Sequence, residues 1–293
     1  MPTGSVLRQQ SGLGSSDAGE LALGAYEALG SSYDTFTADY EYEGWLTAIE
    51  SWAVAAGLPG RRLLDVACGT GKSFLPMLAR GYSVSACDIS PTMVAEAQRK
   101  APHVDVVVAD MRALVWRSSF DLVTCLDDAF NYLLSEDDLA RALRGIAKAL
   151  VPGGVLVFDA NSLWTYRSTF SEDFAVGSNG ETFIWRGQAD SSFEPGGIAT
   201  ATLEVVGSDL PIGRHVQRHW PVDALRTACE AAGFAEVRFR GQMTGGHLMG
   251  DPDELTHTKI VCLAKRADVS AAPCHVPELE RIATTWGRRA RWS

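Results

Sequence analysis

The sequence predicts an α/β fold: a doubly wound, mostly parallel sheet of seven strands with an N-terminal helical lid and an antiparallel β insertion. Three observations predict it. From Arg62 to Phe158, short continuous apolar runs alternate with helical patterns, which means strands buried on both faces by helices. Two amphipathic helical stretches precede them. Residues 162–219 then change character, with aromatic and β-forming residues in place of helical periodicity.

The lid opens at Asp17 and Glu20, a pairing like a capping box, and runs through Leu21, Leu23, Tyr26 and Leu29 to a break at Gly30-Ser31-Ser32. A second helix places Trp45, Leu46, Ile49, Trp52 and Ala56 on one stripe and stops at Gly57 and Pro59-Gly60. Leu63–Val66 reads as a buried strand, followed by a glycine-rich turn and a helix through Phe74, Leu75 and Leu78. Ser83–Cys87 is the second strand, and Ser90 with Pro91 starts the next helix. Val104–Val108 and Phe120–Leu126 are further strands. Ser135 and Asp138 open a helix to Leu150, and Pro152-Gly153-Gly154 turns into the strand Val155–Phe158. After the insertion, Pro221–Ala232 is helical with Gly233 as its stop. Val237–Arg240 and Ile260–Ala264 complete the sheet. Residues 1–16 and 266–293 read as tails around one domain spanning 17–265. Its parts are the lid (17–59), a ligand-binding core (60–161), a covering insertion (162–219) and the end of the core (220–265).

A net charge of -10 argues against a nucleic-acid partner, since a phosphate-neutralising surface needs the opposite balance. No apolar run reaches the length of a membrane helix, and no secretion signal is legible at the start. The 6 cysteines form no C-x-x-C pair and several sit in apolar runs, which suits reduced, buried thiols in a cytoplasmic protein.

The informative stretch is Asp65-Val66-Ala67-Cys68-Gly69-Thr70-Gly71-Lys72-Ser73, between the first strand and first helix, where open α/β sheets bind ligands. Gly71-Lys72-Ser73 matches the end of a nucleoside-triphosphate loop, but Val66 stands where its first glycine belongs. Gly69 and Gly71 fit a dinucleotide turn, but Phe74 occupies the third glycine position. Asp65 would repel a pyrophosphate and welcome a cation.

On these residues the chain resembles the class I S-adenosylmethionine-dependent methyltransferases of small-molecule type, whose first motif is an acidic residue followed by x-x-x-G-x-G. Asp65, Gly69 and Gly71 match it. The resemblance covers roughly Gly60 to Asn161, more loosely to Lys265, and implies a Rossmann-like fold. It implies that Ala67, Cys68 and the glycines approach S-adenosylmethionine, that Asp88 takes the ribose hydroxyls, and that Ile89 and Met93 line the adenine. Asp110 would bind the adenine amine with Met111 on the ring. Leu126 and Asp127 would meet the methionine moiety, with Asp128 beside the acceptor. Tyr33-Asp34-x-x-Thr37-x-x-Tyr40 resembles the tyrosine-bearing lid of such enzymes, with Tyr33 the first candidate to close over the cofactor.

Methyl transfer needs an in-line nucleophile and exclusion of water. Candidate bases are His219 and His215, which alternate along one strand face, and Asp128. Candidate acceptor contacts are Tyr42, Trp45, Asn131, Trp164, Tyr166 and Trp185. No ligand spacing suggests a metal. The reading is a methyltransferase for a small molecule, with an aromatic or indole-like acceptor of specialised metabolism as one expectation and C-, N- and O-methylation undivided. The alternatives are a catalytically inactive binding protein of this fold and an NAD(P)-dependent oxidoreductase.

Overall fold

A computed structural model describes residues 15–268 apart from 41, 210, 211 and 244. The expected N-terminal tail before Ser15, Cys274 and the C-terminal tail beyond Asp268 with its arginines lie outside the described residues. The lid consists of α1 (Ser15–Leu29), the short turn-like helix α2 (Tyr33–Phe36) and α3 (Tyr42–Ala55). Helix α1 begins two residues before the expected Asp17.

The main sheet then forms from β1 (Arg62–Val66), β2 (Ser83–Asp88), β3 (Asp105–Val108), β4 (Phe120–Cys125) and β5 (Leu150–Asn161). The helices between them are α4 (Phe74–Ala79), α5 (Pro91–Lys100) and α6 (Glu136–Ala149). The caps are the ones the sequence shows. Ser90 Oγ accepts from Met93 N at 3.1 Å with Pro91 at the first helical position, and Ser135 Oγ accepts from Asp138 N at 3.1 Å. These bonds satisfy amide donors that a helix start leaves without partners.

After β5 come α7 (Leu163–Arg167), β6 (Asp173–Ser178), β7 (Glu181–Gly187), β8 (Ile198–Val205), β9 (Gly213–Arg218), α8 (Val222–Ala231), β10 (Phe234–Gln242) and β11 (Lys259–Arg266). The main sheet is ordered β10-β11-β5-β4-β1-β2-β3. Pairs among β1 to β5 are parallel, and β11 runs antiparallel to both β5 and β10. Strand order reverses about β1 and β4, so the turns leaving these two strands border the ligand crevice. The second sheet, β6-β7-β8-β9, is antiparallel.

Two local expectations differ. The insertion does not begin with β structure, because Ser162 Oγ accepts from Thr165 N at 3.4 Å and starts α7. Pro152-Gly153-Gly154 is not a separate turn but lies inside β5. There it loops out where the register with β4 jumps from Phe120↔Leu150 to Leu122↔Val155.

The core follows the patterning. Leu63, Leu64, Val66, Val123, Val155 and Phe158 are fully buried in the main sheet. The lid helix α1 packs against β9 and α5, so it lies between the second sheet and the crevice. Cys68, Cys87, Cys125, Cys229 and Cys262 are buried free thiols, as the spacing suggested.

Gly71 is the tightest point of the turn after β1. Its φ is +92°, and a Cβ there would lie 2.8 Å from Phe74 Cζ. Gly71→Ala should therefore lose about 2 kcal/mol in urea unfolding, from left-handed strain and displacement of the ring. Gly24→Ala, on an open face of α1 with nothing within 4 Å, should gain up to about 1 kcal/mol. Equal stabilities for the two variants would contradict this reading.

Candidate cofactor and acceptor site

Two carboxylates hold the turn after β1. Asp65, only 1% exposed, accepts from Ser73 Oγ at 2.5 Å and Thr124 Oγ1 at 2.6 Å. Asp88, at the end of β2, accepts from Gly69 N at 2.8 Å and from Ser90 N at 2.9 Å. Ala67, Gly69 and Gly71 all take positive φ between these anchors, at 56°, 53° and 92°. Burial pushes the Asp65 carboxyl up to about 6, against the lowering by its two hydroxyl partners. Burial raises Asp88 as well, with the amide donors opposing.

The turn after β4 is strained. Asp127 and Asp128 are consecutive non-glycine residues in the left-handed region, at φ 59° and 52°. Their surroundings hold them there. Asp128 N donates to Asp159 Oδ2 at 3.0 Å, Gln217 Nε2 donates to Asp128 at 2.6 Å, and the Tyr42 hydroxyl donates to Asp127. Lys259 Nζ sits among Asp159 (2.8 Å), Asp128 (3.2 Å) and Asp127 (3.3 Å), and 5.6 Å from the centre of the Trp45 ring. Burial alone would depress this ammonium, but the three carboxylates hold it well above its ordinary value. Strain kept in place by such a network is characteristic of ligand sites.

The lid covers both turns. Asp34 accepts from Thr70 Oγ1 at 2.5 Å and pairs with Lys100. Lys72 Nζ donates to Thr37 Oγ1 at 2.8 Å. Glu27 accepts from Ser90 Oγ, and from Thr92 N at 3.1 Å. A cleft remains between Tyr26, Tyr33 and Tyr42 of the lid and a floor that includes Gly69, Asp88 and Asp127. Its free space is about 70 Å³, well below the roughly 300 Å³ at the lower end for small-molecule pockets. A ligand of ordinary size must therefore displace lid side chains to enter.

Most of the expected cofactor residues meet at this cleft. Tyr33, Ala67, Cys68, Gly69, Asp88 and Ile89 line it, as do Met111, Leu126 and Asp127. Tyr42, expected on the acceptor, is there too. Asp65 and Gly71 lie outside the lining and shape the turn from behind. Met93 is fully buried in the core beneath the second sheet, and Asp110 is turned onto Arg112 at 2.6 Å.

Most residues expected on the acceptor side lie outside the cleft lining. His219 does not face the cleft. Its Nε2 is 2.6 Å from Glu254 Oε2 and its Nδ1 accepts from Gly196 N at 3.1 Å, so both ring nitrogens are engaged. Asp128 is directed to Gln217 and Lys259. Asn131 bonds Arg218 O at 2.8 Å and Asn161 N at 2.9 Å, which ties the two sheets together. Tyr166 is fully buried, Trp185 donates to Thr169 O at 2.8 Å within the second sheet's core, and Trp164 stands 39% exposed on α7. Trp45 is buried beside Lys259.

His215 stands one layer behind the cleft. Its Nδ1 is 2.7 Å from the hydroxyl of Tyr132, which does line the cleft, and its Nε2 is buried without a partner. Burial pushes His215 down to about 4, so it is neutral near pH 7. The sequence reading missed Lys259, Tyr26 and Tyr132. Lys259 carried a weak signal, as a lone cation opening the apolar run Ile260–Ala264.

Comparison with known proteins places these features. Residues 63–154 match the family described as a methyltransferase domain. The dTDP-4-amino-2,3,4,6-tetradeoxy-D-glucose N,N-dimethyltransferase of Saccharopolyspora spinosa is 34% identical over 148 residues, 46% of this chain and 58% of that one. The crystal structure of an S-adenosylmethionine-dependent methyltransferase from Clostridium acetobutylicum ATCC 824 superposes with a TM-score of 0.66. It is 23% identical and covers 83% of this chain and 99% of its own. The sugar N-methyltransferase KedS8 from Streptoalloteichus sp ATCC 53650 gives a TM-score of 0.60 at 26% identity, covering 82% and 94%.

Asp65 supplies a pH test. Its carboxyl in the fold, at about 6, lies above the roughly 3.9 of an unfolded Asp, so the folded chain binds that proton more tightly. The stability this contributes is full below about 4 and is lost as pH rises through about 6. Asp65→Asn mimics the neutral form, so its stability relative to the parent should improve by about 2 kcal/mol between pH 4 and pH 7. A difference that stays flat with pH would contradict the buried, raised carboxyl.

Proposed function

We propose that the chain is a class I S-adenosylmethionine-dependent methyltransferase of small molecules, and that it methylates an amine of a small polar acceptor held beneath the lid. The observation that carries this reading is the charge at the floor of the cleft. Asp88 and Asp127 line the cleft with Lys72, and Asp128 and Asp159 stand behind Asp127 around Lys259, so four carboxylates meet two ammonium groups where β2 and β4 end. Such a floor attracts a cationic cofactor and an amine, and repels a carboxylate or phosphate. Two of the similar proteins are named for N-methylation of sugars, which supports the same class. The aromatic residues that suggested an indole-like acceptor, Tyr166 and Trp185, are committed to the core of the second sheet.

The residues present fit the cofactor. Asp88 offers carboxylate oxygens to a vicinal diol at the end of β2, and Gly69 permits a close approach of the backbone. Ile89 and Met111 offer apolar faces for a ring. The bound cofactor supplies an electrophilic methyl group on a sulfonium. Asp127, fixed by Tyr42 and Lys259, would receive the ammonium end. Tyr33 and Tyr26 would close from above and exclude water.

The acceptor must present a lone pair, so it must enter neutral or lose a proton first. The Tyr132 hydroxyl shares a 2.7 Å hydrogen bond with Nδ1 of neutral His215, which fixes its oxygen at the edge of the cleft, where it would meet an acceptor N–H. His215 then orients Tyr132 and does not itself touch the acceptor. His219, gripped by Glu254 and Gly196, holds the insertion against the loop before β11.

Asp88→Ala should weaken S-adenosylhomocysteine binding by about 1.5–3 kcal/mol in calorimetry, the range of hydrogen bonds to a charged group. Unchanged affinity would remove Asp88 from the ribose role. Acceptor class is tested by turnover with methyl-labelled cofactor on matched panels of amino sugars, neutral sugars and indoles. Label should enter the amino sugars as an N-methyl group, and labelling confined to indole carbon would overturn the amine reading. Tyr132→Phe should lower kcat about tenfold or more while changing S-adenosylhomocysteine affinity less than twofold.

A further inference from the structure

The 3-10 turn Met111–Ala113 has two sides. Met111 faces the cofactor cleft, and Arg112 forms one wall of a separate concavity of about 240 Å³. This second pocket lies between residues 112–117 and the outer face of α6. Five of its lining residues are cationic: Arg112, Arg117, Arg141, Arg144 and Lys148. No carboxylate lines it.

The cations divide into two groups. Arg112 is already paired with Asp110 at 2.6 Å and Asp138 at 3.3 Å, and Arg141 lies 3.8 Å from Asp138 and 3.9 Å from Asp137. Arg117, Arg144 and Lys148 are exposed, and their side chains have no ion pair or hydrogen bond among the described residues. Arg144 and Lys148 stand four residues apart on one helix, where like charges repel. In a chain with a net charge of -10, three uncompensated cations facing one hollow run against the average field. A multiply charged anion there would relieve the repulsion.

Geometry and donor types narrow the ligand. Two exposed guanidinium groups and one ammonium, on two different elements, can bind one phosphoryl group from opposite sides. Trp116, half-buried with its ring edge-on to Phe120 at 6.0 Å, borders the same hollow and offers a surface for a planar ring. We propose that this pocket is a binding site for a small phosphorylated molecule, separate from the cofactor cleft. The site does not depend on which atom the enzyme methylates.

The test is calorimetry on the full chain at fixed ionic strength, with inorganic pyrophosphate and with uridine diphosphate as probes. Both should bind at a stoichiometry near one. Tighter binding of uridine diphosphate would show that a ring is read along with the phosphates, and equal binding that the phosphoryl group alone is read. The triple variant Arg117→Ala, Arg144→Ala, Lys148→Ala should weaken both at least tenfold. It should leave S-adenosylhomocysteine affinity within twofold, which also shows that the variant folds. Absence of pyrophosphate binding to the parent chain, or binding that survives in the triple variant, would overturn the proposal.

Discussion

The structure depends on the clamp that two aspartates place on one turn. Asp65 secures the start of α4 and the neighbouring strand from beneath, through Ser73 and Thr124. Asp88 secures Gly69 from the side and also caps the backbone at Ser90. Between them the chain runs through three positive-φ positions, of which only Ala67 carries a side chain. The clamp puts backbone and carboxylate oxygens at the reversal of strand order, where an open sheet leaves a crevice. The lid then needs only short contacts, Asp34 to Thr70 and Lys72 to Thr37, to reach the same turn.

A second constraint is charge. Holding the half-buried Asp127 and Asp128 against the fully buried Asp159 would be costly without Lys259. The lysine comes from β11, an antiparallel strand far along the chain, so this charge cluster assembles only when the sheet is complete. Counting Asp88 and Lys72 of the cleft lining as well, four carboxylates to two ammonium groups still leave this end of the sheet negative. That residual charge distinguishes this cleft from a phosphate cradle, and the basic hollow on α6 is its electrostatic opposite.

The sheet was legible because each strand is a short apolar run and each helix start carries its own cap, as at Ser90 and Ser135. The cleft lining was legible because it is built from consecutive strand ends, where position in the sequence fixes position in space. Asp88, Ile89, Met111, Leu126 and Asp127 all lie within three residues of a strand terminus. The surroundings of the candidate acceptor residues were not, because long-range packing makes them. His215 and His219 share a strand face in sequence, yet one meets Tyr132 and the other meets Glu254 from a distant loop. Tyr166 and Trp185 looked like stacking surfaces and became core, since the second sheet has to bury a face of its own. Lys259 could not be placed without knowing that β11 runs beside β5.

The most direct measurement is a crystal structure of the chain with S-adenosylhomocysteine. The account predicts ribose hydroxyls on the Asp88 carboxylate, the adenine between Ile89 and Met111, the amino-acid end at Asp127, and Tyr33 moved off Gly69 to cover the ligand. A ligand seated elsewhere, with Asp88 touching only Gly69 and Ser90, would contradict it.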